Sequence, residues 1–122
     1  MLKFSSFVGV IKGFRKFPDL TFTVIETKAV DDEFKYSAAS DYAFWYPGNS
    51  APYRHEGHGK TIEEALHGAL NTFLIEPTDK LPDDKVFITK AHAPYQNAEF
   101  IDGTGKKCTY EEARKIIMEN NN

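Results

Sequence analysis

The sequence contains little cysteine and no long apolar segment. Cys108 is the single cysteine among 122 residues, which excludes an internal disulfide and a cysteine-based zinc site. No apolar run approaches the roughly 18 residues that a membrane-spanning helix needs. Serines interrupt the first eight residues too early for a secretory signal. We therefore expect a soluble cytoplasmic protein without a membrane partner.

A strong net charge is also lacking. Fifteen basic and 18 acidic residues leave a net charge of −3, too small for a DNA mimic or for a general affinity for nucleic acid. The first 18 residues are nevertheless basic, and their cations alternate with phenylalanines. Such a mixture can bind single-stranded nucleic acid, but an edge strand with its phenylalanines in the core and its lysines in water is the preferred interpretation. The four cations are Lys3, Lys12, Arg15 and Lys16.

The sequence does contain enough apolar material for one folded domain, which we place at residues 1–122. Hydrophobic residues make up 41% of the chain and aromatic residues 14%, so general disorder is excluded. Alternating apolar residues predict four strands in the first half of the chain. Because no crossover helix fits between them, they should form an antiparallel meander. These strands lie near residues 3–11, 20–30, 34–38 and 42–46.

Two capping patterns predict two helices. Thr61 and Glu64 form a capping box before an amphipathic main helix at about residues 61–75, and Thr109 with Glu112 does so before a short C-terminal helix at about 110–119. With further strands in the second half, the expected fold is α+β. It is an antiparallel sheet of about five to seven strands with the main helix packed on it. The apolar stripe of that helix comprises Ile62, Ala65, Leu66, Ala69, Leu70, Phe73 and Leu74.

The loop from Arg54 to Thr61 carries the candidate binding residues. It precedes a helix N-terminus, where unpaired N–H groups and the helix dipole favour an anion. Its cations would add charge, and nearby aromatic side chains could stack on a base. The alternative is a polar loop whose glycines only form a turn. The predicted ligand-binding residues are Arg54, His55, His58, Lys60, Thr61, Trp45, Tyr46 and Tyr53.

These residues predict a small non-enzymatic binding protein with a phosphate-bearing ligand: a nucleotide, a cyclic nucleotide signal or a nucleic acid. Its size and lack of catalytic motifs are typical of accessory factors that phages and mobile elements encode. An enzyme acting on a nucleotide is the third alternative. Gly59-Lys60-Thr61 looks like the end of a P-loop, but Arg54 stands where that motif needs a glycine.

Catalytic and metal-binding patterns are weak, so we predict no catalytic residue, metal or cofactor. His55 and His58 have a spacing suited to a shared metal, but nothing in the sequence makes a third ligand converge on them. Cys108 precedes a helix N-terminus and follows two lysines, which would lower the pKa of its thiol. No histidine is near in sequence to act as its base, so a half-buried structural cysteine is the preferred interpretation.

Residues 42–74 resemble the small sheet-plus-helix domain of HicB-type antitoxins. An aromatic strand ending in Tyr46-Pro47-Gly48, followed by a helix opening at residues 59–66, carries the resemblance. The resemblance implies binding and silencing of a toxin, although Lys60 stands where an acidic residue is usual. The second function considered is therefore a protein-binding inhibitor or antitoxin-like module that acts through exposed aromatics. Its partner would be a host protein, and self-association into a homo-oligomer is a further expectation.

Overall fold

The computed structural model describes residues 4–11, 13–26, 35–75, 81–90 and 94–119. Within these ranges the chain forms eight strands and two α-helices, with antiparallel strand pairing throughout. The predicted α+β class and both predicted helices are confirmed. The strands are β1 (Phe4–Ile11), β2 (Leu20–Glu26), β3 (Tyr36–Ser40), β4 (Ala43–Trp45), β5 (Glu56–Gly59), β6 (Phe87–Thr89), β7 (Glu99–Asp102) and β8 (Lys107–Thr109). The helices are α1 (Ile62–Ile75) and α2 (Tyr110–Glu119).

The chain divides into two compact units. Unit 1 comprises residues 1–11, 20–41 and 54–76, and unit 2 comprises residues 12–19, 42–53 and 77–122. Unit 1 contains a four-stranded sheet in the order β1-β2-β3-β5, and unit 2 contains one in the order β4-β6-β7-β8. The described strands thus lie in two sheets and not in the single sheet that the sequence pattern predicts. A single domain over 1–122 stays a prediction.

In unit 1, α1 covers one face of the sheet. Phe22, Val24 and Ala38 point from β2 and β3 into the core, where they meet Ala65 and Ala69 of α1. The helix begins at the predicted capping box. The backbone N–H of Glu64 donates to Thr61 Oγ1 (3.0 Å), and Glu64 Oε1 accepts the N–H of Thr61 (3.2 Å).

Strand β4 does not extend the predicted meander, because β5 takes the place beside β3. The turn after β3 is held against β2. Asp41 donates its backbone N–H to the carbonyl of Thr21 (2.8 Å), and its carboxylate accepts the hydroxyls of Thr21 (2.5 Å) and Thr23 (2.8 Å). The alternation of apolar residues identifies β4 as a strand but leaves its partner open. That partner is β6 of unit 2.

In unit 2, large aromatic side chains fill the space between sheet and helix. Trp45 and Phe100 are fully buried, and the ring of Tyr110 stacks on Trp45 with a centroid distance of 5.1 Å. The indole Nε1 of Trp45 donates to the carbonyl of Asn49 (3.1 Å). The second predicted capping box starts α2, since the N–H of Glu112 donates to Thr109 Oγ1 (3.1 Å).

Some predicted features lie outside the described residues. They are Lys3 and Lys12 of the basic segment, residues 27–30 of the predicted second strand, position 34 of the third strand, and the side chains of Phe73 and Leu74. None of the described helices is long and apolar enough to cross a membrane.

Candidate functional site

The predicted binding loop contains a strand. Residues Glu56–Gly59 form β5, and Gly57 faces α1. A Cβ on Gly57 would lie 2.2 Å from the backbone nitrogen of Ala69 and 2.4 Å from the carbonyl oxygen of Ala65. Only glycine lets the strand and the helix backbone approach this closely. The glycine at this position therefore serves helix packing.

The N-terminus of α1 is already capped from within. Glu64 Oε1 accepts the backbone N–H of both Lys60 (2.8 Å) and Thr61 (3.2 Å). Glu63 and Glu64 place two exposed carboxylates in the first turn, where they interact favourably with the helix dipole and repel an approaching anion. Lys60 and Thr61 are exposed beside these acids. Because these N–H groups are already bonded and the carboxylates are negative, the helix N-terminus does not favour binding of an anion.

His55 belongs to the core of unit 1, and only 2% of it is exposed. Its backbone N–H donates to Ser40 Oγ (2.9 Å), its carbonyl accepts the N–H of Ser40 (2.8 Å), and its Nδ1 lies 3.4 Å from Thr72 Oγ1. His58 by contrast is exposed on β5. The two histidines therefore do not share a surface. No group of three or more metal-ligating side chains comes together in the described ranges.

The three predicted aromatic residues belong to unit 2. Trp45 is 0% exposed and Tyr46 is 3% exposed, so neither forms the expected stacking surface. Tyr53 is half-buried, and its ring packs edge-on against Tyr46 with a centroid distance of 6.0 Å. Aromatic alternation in β4 reflects burial of this segment. The exposed aromatics that the inhibitor alternative requires are thus not supplied by Trp45 or Tyr46.

The structure brings other polar residues together on the sheet face of unit 1 that points away from α1, which we call the outer face. Cross-strand pairing aligns Thr23, Ala39 and Glu56 in one row. A second row comprises Ile25, Ser37 and His58. These six residues and Arg54 line a groove of about 300 Å³. Two of the predicted binding residues, Arg54 and His58, therefore lie on one surface.

Hydrogen bonds orient both of these side chains. Arg54 Nε donates to the carbonyl of Ser40 (2.6 Å), which fixes the guanidinium at one side of the groove. His58 Nδ1 lies 2.9 Å from Ser37 Oγ on the neighbouring strand. Glu56 is the acidic residue of the lining. The outer face thus offers a guanidinium, an imidazole and the hydroxyl of Ser37 to a ligand, whereas the hydroxyl of Thr23 already donates to Asp41. A guanidinium with such neighbours is suited to binding an oxyanion.

The thiol of Cys108 in unit 2 does not have the lowered pKa that its position before a helix N-terminus suggested. Its pKa is raised to about 11, mainly by burial and to a smaller extent by the nearby carboxylates of Asp102 and Glu112. These effects outweigh the opposing charge of Lys106. A protonated thiol is a poor nucleophile, so the geometry does not favour cysteine chemistry here.

No protein-family model, curated protein or solved structure matches this chain. The likeness to HicB-type antitoxins stays a resemblance, and functional inference rests on the geometry of each unit. Sequence reasoning overlooked Thr23, Ser37 and Glu56 as lining residues. The phase of the strand alternation signals them, because Phe22, Val24 and Ala38 are the buried set and their neighbours must face outward.

Proposed function

We propose that the protein is a non-enzymatic binding protein that holds a phosphate-bearing ligand on the outer face of unit 1. The observation that supports this best is the fixed guanidinium of Arg54 beside a groove that also contains Ser37 and His58. Arginine binds phosphate oxygens through paired, charge-assisted hydrogen bonds, which are about twice as strong as neutral ones. The ligand is released unchanged.

The size of the groove favours a small ligand. Its volume of about 300 Å³ is at the lower end of the range of small-molecule sites. A mononucleotide or a cyclic nucleotide is therefore preferred over a nucleic acid. Its apolar positions, Ile25 and Ala39, give a surface for the less polar part of such a molecule.

Charge also favours a small ligand with few phosphates. The net charge of −3 and the exposed carboxylate of Glu56 oppose the approach of a polyanion. The same carboxylate can accept hydrogen bonds from sugar hydroxyls. A cytoplasmic location and an accessory role in a phage or mobile element stay predictions from the sequence.

The test is calorimetric titration of the protein with a panel of nucleoside monophosphates and cyclic nucleotides. We expect one or more members to bind, and Arg54→Lys to weaken that binding about tenfold because the paired hydrogen bonds are lost. Ser37→Ala should weaken it less. Chromatography of the recovered ligand should show no conversion, and conversion would favour the enzyme alternative.

Lys60→Ala is the matched control, since Lys60 is exposed and is not among the residues that line the groove. We expect this variant to bind as tightly as the parent. If Lys60→Ala weakens binding while Arg54→Lys does not, the anion lies at the start of α1 and the outer face is excluded. If the whole panel fails to bind, the proposal is refuted.

A further inference from the structure

Arg15 in unit 2 is an unusual residue in both its backbone and its side chain. Its φ is 53°, in the left-handed region that non-glycine residues avoid. Its side chain is only 8% exposed. Arginine is rarely buried to this degree unless its hydrogen bonds are satisfied. This backbone strain and this burial of charge occur at the same residue, and such sites are often functional.

The guanidinium has one ionic partner among the described residues. Nη1 lies 2.5 Å from Asp83 Oδ1, and the guanidinium carbon lies 5.3 Å from the centre of the Phe14 ring. Nε is buried, and no described acceptor binds it. A buried N–H without a partner is costly, and one common explanation is a ligand or ion that supplies the acceptor.

The surrounding backbone holds Arg15 in this position. The N–H of Lys16 donates to the carbonyl of Gly103 (3.0 Å), and the N–H of Gly103 donates to the carbonyl of Asp83 (2.8 Å). A Cβ on Gly103 would lie 2.6 Å from that carbonyl oxygen and 2.9 Å from Arg15 Cδ. Glycine at this position therefore makes room for the buried arginine.

A groove of about 480 Å³ adjoins the arginine. Phe14, Leu81 and Pro82 contribute apolar walls, and Arg15 and Asp83 contribute the charged end. The carboxylate of Asp83 is half exposed, with 51% of its side chain accessible. The described ion pair uses Nη1, and an ion pair with so exposed a carboxylate contributes little stability.

We propose that this groove binds an organic oxyanion, in which a carboxylate or a phosphate monoester is attached to an apolar body. The oxygens accept hydrogen bonds from Nε and Nη2, which form one edge of the guanidinium and leave Nη1 to Asp83. The apolar body lies against Phe14 and Pro82. This site lies in unit 2 and does not depend on the outer face of unit 1.

The experiment follows the NMR resonance of the Arg15 Nε–H group in the full chain. The probes are benzoate and phenyl phosphate, which share a ring and differ in the oxyanion, with benzamide as the neutral control. We expect a saturable downfield shift of the Nε proton at millimolar concentrations with at least one oxyanion and none with benzamide. The responding probe distinguishes a carboxylate ligand from a phosphate ligand.

Two variants sharpen the test. Arg15→Lys keeps the charge but removes the paired donors, and we expect it to bind the responding probe about tenfold more weakly. Asp83→Asn removes the competing carboxylate and should tighten binding several-fold, whereas Asp84→Asn, at an exposed neighbour, should leave it unchanged. The parent chain and Asp83→Asn both contain Arg15, so the shift of its Nε proton can be measured in both. The test therefore holds even if Arg15→Lys does not fold.

The proposal is overturned if neither oxyanion shifts the Nε proton in a saturable way. An equal response to benzamide would also overturn it, because the ring alone would then explain binding. If Asp83→Asn and Asp84→Asn bind the probe identically to the parent, Asp83 does not face the bound oxyanion and the geometry proposed here is incorrect.

Discussion

The two units start their helices in the same way and pack them in different ways. In both, a threonine caps the helix and a glutamate three residues later completes the box. In unit 1 the helix lies against a glycine of β5, backbone to backbone. In unit 2 the helix packs on Trp45, Phe87 and Phe100. Identical capping chemistry therefore does not imply identical packing or a shared function.

The second difference concerns the sheets. All residues of β4 and β6 are buried, so these two neighbouring strands of the unit 2 sheet leave no face accessible. In unit 1, residues of β3 and β5 such as Ser37 and His58 stay accessible on the outer face. An antiparallel sheet with one face in water is expected to be polar on that face. The feature that distinguishes unit 1 is that hydrogen bonds orient Arg54 and His58 on its outer face. This difference is why we place the proposed phosphate-bearing ligand on unit 1.

The aromatic core of unit 2 should give the largest stability effect. Trp45→Ala removes the central ring and leaves a cavity, so we expect a loss of about 3–5 kcal/mol in the free energy of unfolding. Trp45→Phe keeps a ring and should cost less, although it removes the hydrogen bond to Asn49. Urea unfolding followed by circular dichroism measures both variants. Equal stability of Trp45→Ala and the parent would contradict the packing described for unit 2.

The glycine contact of unit 1 should give the next largest effect. Gly57→Ala adds a Cβ that would lie 2.2 Å from the backbone of α1, so the helix has to move. We expect a loss of about 1–3 kcal/mol, the usual cost of overpacking. Urea unfolding followed by circular dichroism measures this loss. In the same experiment the fluorescence of Trp45, the single tryptophan, reports on unit 2.

Gly68→Ala is the matched control for this substitution. Its Cβ would lie 3.2 Å from Gly57 Cα, a tight contact that a small adjustment relieves, and alanine favours the helix. We therefore expect a smaller loss than for Gly57→Ala. The reverse order of stability would show that α1 does not approach β5 at Gly57.

The two capping boxes should have matching, smaller effects. Thr61→Ala and Thr109→Ala each remove a hydroxyl that accepts a backbone N–H, and each should cost about 0.5–2 kcal/mol. Thermal unfolding of both variants gives the comparison, and a serine at either position should restore most of the loss. If only one threonine matters, the two helices are not stabilised by the same device.

The last prediction concerns the reactivity of the Cys108 thiol in unit 2 and not the stability of the protein. Since the pKa of Cys108 is raised to about 11, the thiol stays protonated at neutral pH and its alkylation by iodoacetamide should be slow. The rate should rise as pH increases toward that pKa. The urea-unfolded chain is the control and should react faster at neutral pH. A fast reaction in the folded protein would indicate a thiolate and reopen the case for chemistry at this residue.

Local features were predictable from the sequence because they depend on neighbouring residues. The starts of α1 and α2 follow from hydrogen bonds that span three or four residues. The alternation of β2 separates Phe22 and Val24 from the residues that face outward. Of the predicted site, Arg54 and His58 line the groove of the outer face.

Only the tertiary structure decided which strands pair and what each polar or aromatic residue meets. Strand β4 pairs with β6, which lies more than forty residues further along the chain. The alternation of apolar residues within β4 does not indicate which strand it pairs with. The burial of His55 and Trp45 was also decided by the tertiary structure, because histidine and tryptophan suit a binding loop as well as a core. Burial is a property of what packs around a side chain, so it is settled by residues distant in sequence. The sequence alone determined the helices and the inward phase of the strands, and long-range packing determined the surfaces available to a ligand.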